Sequence, residues 1–139
     1  MRYLILIKAT DDSEAGAKPT EELAATMAEF HEEMARAGVL VDGNGLWPTS
    51  KGYRLKYSGG KTMLIDGPFT ETKEILAGYT LIKVSSEEEA LAWFQRFPKP
   101  HFTDCEIELR RVYELEDLGP LESMERFRAL GISGAEKKA

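Results

Sequence analysis

Apolar residues in the first stretch of the chain are consecutive rather than alternating. Residues 2–9 (RYLILIKA) therefore read as a strand covered on both faces, in the middle of a sheet. The polar, glycine-containing run Thr10 to Pro19 reads as a loop. Thr20 then makes an N-cap, with Glu21 and Glu22 favourably placed in the first turn. Leu23, Met27, Phe30 and Met34 recur at helical spacing as one apolar stripe, and Gly38 stops that helix. A second strand starts at Val39 to Val41. The Asp42-Gly-Asn-Gly45 string after it predicts a turn or bulge leading into Leu46-Trp47-Pro48.

Tyr53, Leu55 and Tyr57 alternate with Arg54 and Lys56, the period of a half-buried strand. Ser58-Gly59-Gly60-Lys61 closes a hairpin onto Thr62 to Ile65. Gly78 to Val84 is a further strand. Ser86 and Glu89 form a capping box for a second helix, whose Ala90, Trp93, Phe94 and Phe97 fall on one face and which Pro98 ends. Cys105, Ile107 and Leu109 alternate with charged residues in a last strand. Residues 120–130 predict a short helix between Pro120 and Gly131, followed by a disordered tail after Gly134.

The order strand, helix, strands, strand, helix, strand predicts an α+β fold. It is a ferredoxin-like antiparallel sheet with two helices on one face. The other face, a mixture of Arg, Glu, Thr and Tyr, must meet water or a partner. A second copy laid against it would enclose a pocket between the sheets, so the expected assembly is a homodimer in the form of a dimeric α+β barrel. The expected organisation is one domain over 1–118 and a C-terminal extension over 119–139.

The 139 residues suit one domain, and 42% hydrophobic content is enough for a core. With a net charge of −6 and no basic cluster beyond Lys137-Lys138 and the pair Arg110-Arg111, nucleic-acid binding is not expected. Cys105 alone can form no internal disulfide, which suits a reducing compartment and supplies no metal-ligand spacing. The apolar run Leu4 to Ile7 is too short for a signal core or a membrane span, so a cytoplasmic protein that binds no membrane is expected. No dinucleotide-binding, Walker-type or nucleophile-elbow string is present, so no cofactor is expected, and two isolated histidines with one cysteine do not make a zinc site.

Functional residue types are densest in Asp66-Gly-Pro-Phe-Thr-Glu-Thr-Lys-Glu74, followed by Gly78-Tyr79. The string DGPFTETKEILAGY resembles the signature of the YCII-related family, in the branch named for its DGPF motif. The strings at residues 37–50 (AGVL…GLWPTS) and 106–110 (EIELR) resemble other parts of that branch. The resemblance spans roughly residues 1–118. It implies a ferredoxin-like dimer and a pocket in which a strand-end aspartate and a helix-borne histidine act as a catalytic dyad. Those positions match Asp66 and His31.

Helical geometry independently puts His31 about 70° from the centre of its stripe, on a shoulder from which a side chain reaches a cleft. It is either a half-solvated border residue or, held by Asp66, a base able to take a proton from a carbon acid or phenol. Asp66 is equally at home as a turn former in Asp-Gly-Pro. Lys73 is a ligand-binding candidate as a point charge for an anion, and Arg110 as a carboxylate clamp. The alternative for Arg110 is an ion pair with Glu108 or Glu106. Trp47 and Tyr53, with Tyr57, either line a pocket for a flat ligand or belong to the core. His101 reads as a surface loop residue. These residues are compatible with a cofactor-independent lyase or isomerase acting on a small metabolite, with a non-catalytic small-molecule-binding or regulatory dimer, or with a structural dimer bearing a vestigial pocket.

Overall fold

A computed structural model describes residues 1–132. Strand β1 (Arg2–Lys8) is followed by a one-turn helix α1 (Asp11–Glu14), helix α2 (Glu21–Arg36) and strand β2 (Leu40–Gly45). The hairpin β3 (Tyr53–Ser58) and β4 (Lys61–Asp66) comes next, then β5 (Leu76–Lys83), helix α3 (Glu87–Arg96), β6 (Ile107–Arg111) and helix α4 (Met124–Ala129). Four strands form one antiparallel sheet in the order β2-β5-β1-β6, and β3-β4 stands apart as a two-stranded sheet. This is the expected ferredoxin-like arrangement, with an inserted hairpin. Residues 133–139, including the expected tail, lie outside the described residues.

Strand register decides which side chains meet the helices. Tyr3 lies opposite Ile82, Ile5 opposite Thr80 and Leu109, and Ile7 opposite Gly78 and Ile107. Their shared face packs on Phe30 and Met34 of α2 and on Ala90 and Trp93 of α3, with Phe97 just beyond it. The apolar stripes read from the sequence are thus the inward faces of both helices, on one side of the sheet. Phe30 meets Trp93 and Phe97 edge-on at centroid distances of 5.8 and 5.6 Å, the geometry favoured by aromatic quadrupoles. Thr20 accepts from the Leu23 N–H and Ser86 from the Glu89 N–H, so both N-caps form; the return half of the expected capping box does not, because the Glu89 carboxylate accepts instead from the Ser85 N–H at 2.9 Å.

Two segments differ from the sequence reading. The loop after β1 contains α1, because Thr10 and Ser13 satisfy each other's backbone N–H in a capping box. Asp42-Gly-Asn-Gly45 is not a turn but the body of β2, paired with Leu81, Thr80, Tyr79 and Gly78. The expected bulge sits at Val41, between Leu40 and Asp42. Gly78 permits this pairing: a Cβ there would lie 2.9 Å from the Asn44 carbonyl. Among the described residues, no helix is long and apolar enough to cross a membrane.

Candidate functional site

A cavity of about 840 Å³ opens between α2, the helix-facing side of the sheet, and the connections that follow β1 and β2. That is within the range of about 300–1,000 Å³ usual for ligand sites. Its walls are mainly apolar, with Ile7, Leu23, Met27, Leu40 and Leu46 among them. The sequence placed a site between the open faces of two sheets. Within one chain the cavity is instead under α2, where the short side chains Ala24, Ala28, Gly43 and Gly78 leave room.

His31 reaches this cavity from α2. Its Nδ1 lies 2.7 Å from the Met27 carbonyl and its Nε2 2.8 Å from Thr80 Oγ1. A carbonyl oxygen can only accept, so Nδ1 carries the hydrogen and, in the neutral ring, Nε2 is the acceptor for the Thr80 hydroxyl. The ring is also held edge-on against Phe97 at 5.8 Å. Opposite it, Gly43 keeps the space clear: a Cβ there would touch His31 Cδ2 at 3.9 Å and Thr80 Oγ1 at 3.7 Å. The imidazole is thus held between a side-chain hydroxyl and a backbone carbonyl, an arrangement whose chemistry is that of a hydrogen-bonded general acid or base.

Of the six residues that the sequence singles out, His31 and Trp47 line the cavity. Trp47 stands at its mouth, 77% exposed, so it is not core. Asp66, Lys73, Arg110 and Tyr53 do not line it. The hydrogen bond between His31 and Asp66 does not form within the chain, because both ring nitrogens are already engaged. Asp66 sits exposed at the base of the hairpin, opposite Tyr53, and among the described residues its carboxylate has no hydrogen-bond partner. Tyr53 and Tyr57, read as core or pocket residues, are both exposed on that hairpin. Lys73 lies exposed in a turn of 3-10 helix, Thr72–Glu74.

Arg110 donates to Glu108 at 3.1 Å, and Lys8 lies 3.3 Å from the other oxygen of the same carboxylate. The hydrogen bond from Lys8 is the largest influence holding the Glu108 carboxyl below its ordinary range, helped by Arg110 and opposed by desolvation. The ion-pair alternative for Arg110 is therefore the arrangement found.

The DGPF string has a structural task. The Gly67 N–H donates to the Gly52 carbonyl at 2.9 Å, and a Cβ on Gly67 would lie 1.7 Å from the Thr49 carbonyl oxygen. The Phe69 N–H donates to Thr49 Oγ1 at 3.0 Å. Thr49 in turn donates its N–H to Glu14 at 3.0 Å and its hydroxyl to the second oxygen of the same carboxylate. Arg54 stacks over the Phe69 ring, 3.7 Å from its centroid. The motif thereby locks the hairpin base to the cavity wall beside Pro48.

Sequence reasoning missed four further lining groups: Thr80, Lys18, Asn44 and His101. Asn44 donates to the Tyr79 hydroxyl at 2.9 Å, which donates in turn to Asp42 at 2.9 Å. Once residues 42–45 are seen as a strand, Asp42 and Asn44 share one face, and that alternation was the available signal. Thr80 carried none, being one threonine in an apolar strand. Among the described residues, no group of three or more His, Cys, Asp or Glu side chains gathers to hold a metal.

The chain is similar to an uncharacterised protein, R00369, of Rhizobium meliloti strain 1021. The two are 37% identical over 94 residues, which cover 66% of this chain and 75% of the relative. Among solved structures it is similar to the 5-chloro-2-hydroxyhydroquinone dehydrochlorinase TftG of Burkholderia phenoliruptrix AC1100, in its complex with 2,5-dihydroxybenzoquinone. That match has 14% identity and a TM-score of 0.46, and covers 82% of this chain and 95% of the other. The model of the YCII-related domain matches residues 1–116, so the chain belongs to the YCII-related family.

Proposed function

We propose that the protein is a lyase or isomerase of small metabolites, working without a cofactor, in which His31 moves a proton to or from a ligand held in the cavity under α2. The observation that carries this reading is the fixed line from Thr80 Oγ1 through His31 to the Met27 carbonyl, at the wall of an apolar space of ligand size. A proton leaving a carbon acid or phenol passes to Thr80 Oγ1 as the Thr80 proton passes to Nε2. The imidazolium that forms keeps its Nδ1–H on Met27. The mainly apolar walls suit the carbon skeleton of a small ligand lying beside this polar line. Lys18, rather than Lys73 or Arg110, is the lining cation available to an anionic substituent. Asp66 stands outside this step.

The same reading takes the chain as a member of the DGPF branch and as a cytoplasmic homodimer. Support comes from the DGPFTETKEILAGY string, the single cysteine and the apolar face of the hairpin.

The test is a panel of small carbonyl compounds and phenols, with phenylpyruvate first. Binding is read by calorimetry and proton exchange in deuterated water by NMR. Exchange that His31→Ala abolishes supports the enzyme. Binding with no exchange in the wild type would instead make the protein a ligand-binding or regulatory module, and exchange that survives His31→Ala would remove the proposal.

A further inference from the structure

The chain has two histidines, His31 and His101, and both line the cavity under α2. They come from unrelated elements, His31 from α2 and His101 from the loop before β6. Each has one ring nitrogen on a backbone carbonyl: His31 Nδ1 on Met27 at 2.7 Å, and His101 Nε2 on Lys8 at 2.9 Å. Carbonyls accept only, so both of those nitrogens carry hydrogen. The neutral rings are therefore opposite tautomers, with the unprotonated nitrogen being Nε2 in His31, where it accepts from Thr80, and Nδ1 in His101.

Strand register separates the groups that anchor them. The Thr80 partner of His31 lies opposite Ile5, and the carbonyl that holds His101 is three residues further along β1. Three residues of strand span about 10 Å, so the two anchoring points are separated along the floor of the cavity that both rings line.

We infer that His101 is a second proton-exchanging group of this cavity, set against His31 across the ligand. The inference rests on the proton-transfer reading of His31. With both rings neutral, each backbone-facing nitrogen holds the only ring hydrogen, and neither ring offers a proton to the cavity. Turnover needs one ring neutral and one protonated. The neutral ring, through Thr80 in the case of His31, takes a proton from an acidic C–H beside a carbonyl, the C–H pair becomes the enolate, and the imidazolium returns a proton to the enolate oxygen or to another carbon. The substrate is isomerised with no change of oxidation state, and the rings exchange their protonation states, which solvent resets. The class of ligand is a small carbonyl compound with an enolisable carbon.

The other titratable and charged groups lining the cavity are Asp12 and Lys18, from the connection between β1 and α2, and Tyr79 of β5. Around His101, Lys8 is paired with Glu108, Lys99 donates to the Phe102 carbonyl, and Asp104 lies in the same loop. Beside His31, Glu33 is bound by Arg96, and Glu32 by Arg36. None of these groups is itself removed when one histidine is exchanged for glutamine, and the reciprocal variants separate the pair from a one-sided local change.

The experiment is a pH titration of both imidazoles in the full-length protein, by long-range proton–nitrogen-15 spectra, in wild type, His31→Gln and His101→Gln. At high pH the two rings should show opposite tautomers. Removing either ring should raise the midpoint of the other, because a like charge is lost. The rise shrinks as salt screens the two charges. It should be equal in both directions, since coupling is reciprocal. The same tautomer in both rings, or midpoints indifferent to the partner, would overturn the inference. The proton-transfer reading fails separately: it falls if exchange survives His31→Ala, whatever the coupling, whereas absent coupling with an inactive His31→Ala removes His101 alone.

Discussion

Thr80 Oγ1 lies 2.8 Å from Nε2 of His31, in a residue that is only 1% exposed. The hydroxyl is therefore committed to the imidazole. Thr80→Val keeps the shape and deletes the donor. The expected loss of stability in urea unfolding is about 1 kcal/mol, the usual net worth of one hydrogen bond. Proton exchange should fall by at least tenfold, because the relay to Nε2 is cut, and Thr80→Ser should restore most of it. A valine variant with wild-type exchange would show that the hydroxyl only fills space.

The DGPF string gives two neighbouring substitutions with opposite expectations. Gly67→Ala forces a methyl against the Thr49 carbonyl, where the ideal Cβ position is 1.7 Å away. Backbone must move, and a loss of about 3 kcal/mol, at the upper end for overpacking, is expected in chemical denaturation. Asp66→Asn removes a charge with no hydrogen-bond partner among the described residues, on an exposed side chain. Stability should change by less than about 0.5 kcal/mol, and the His31 titration should not move. A His31 midpoint that drops in Asp66→Asn would restore the aspartate to the site.

Glu108 sets a pH dependence whose direction can be worked out. Its carboxyl is held below the ordinary range, first by the hydrogen bond from Lys8 and then by Arg110. A depressed folded pKa contributes stability above the unfolded pKa, and that contribution is lost as pH falls through the folded value. Lys8→Met should therefore move the Glu108 titration, followed by carboxyl carbon NMR, upward toward the ordinary range. It should also flatten the acid limb of stability. Because the pair is near the surface, high salt should shrink the difference. An unchanged Glu108 titration in Lys8→Met would show that Arg110 is the controlling partner.

Local chemistry was legible in the sequence wherever periodicity or capping declared it. The stripe Leu23, Met27, Phe30 and Met34 located α2 and put His31 on its shoulder, and Ser86 with Glu89 located α3. What escaped were contacts between distant residues. His31 meets Thr80 across 49 positions, and His101 meets the Lys8 carbonyl across 93. Residues 42–45 look like a turn because Gly and Asn lower strand propensity. The pairing with β5 overrides that preference, and the glycine opens space beside His31. The DGPF residues looked chemical because they are polar and dense, yet their contacts are those of a clamp on Thr49.

The β3–β4 hairpin sets the last prediction. Tyr53, Leu55 and Tyr57 share one face with Leu64, which pairs with Leu55, and each is at least half exposed. A lone two-stranded hairpin is marginal in water, and an apolar face on one needs a cover. The segment 51–66 also carries four cations, Lys51, Arg54, Lys56 and Lys61, against the single anion Asp66, in a chain whose net charge is −6. Arg54 and Lys56 lie on the other face of the hairpin, so the cover expected on the tyrosine face is an apolar one, as a second copy of the same hairpin would supply. Burying such side chains is worth about 1.5–3 kcal/mol each when complete. Light scattering on a sizing column should therefore show a dimer for the wild type. Leu55→Asp, which places a second acid on this face, should give a folded monomer. A wild-type monomer at micromolar concentration would end the homodimer reading. A Leu55→Asp dimer would instead move the contact to the open face of the four-stranded sheet, where Arg110, Glu108 and Lys8 already form a paired charged row.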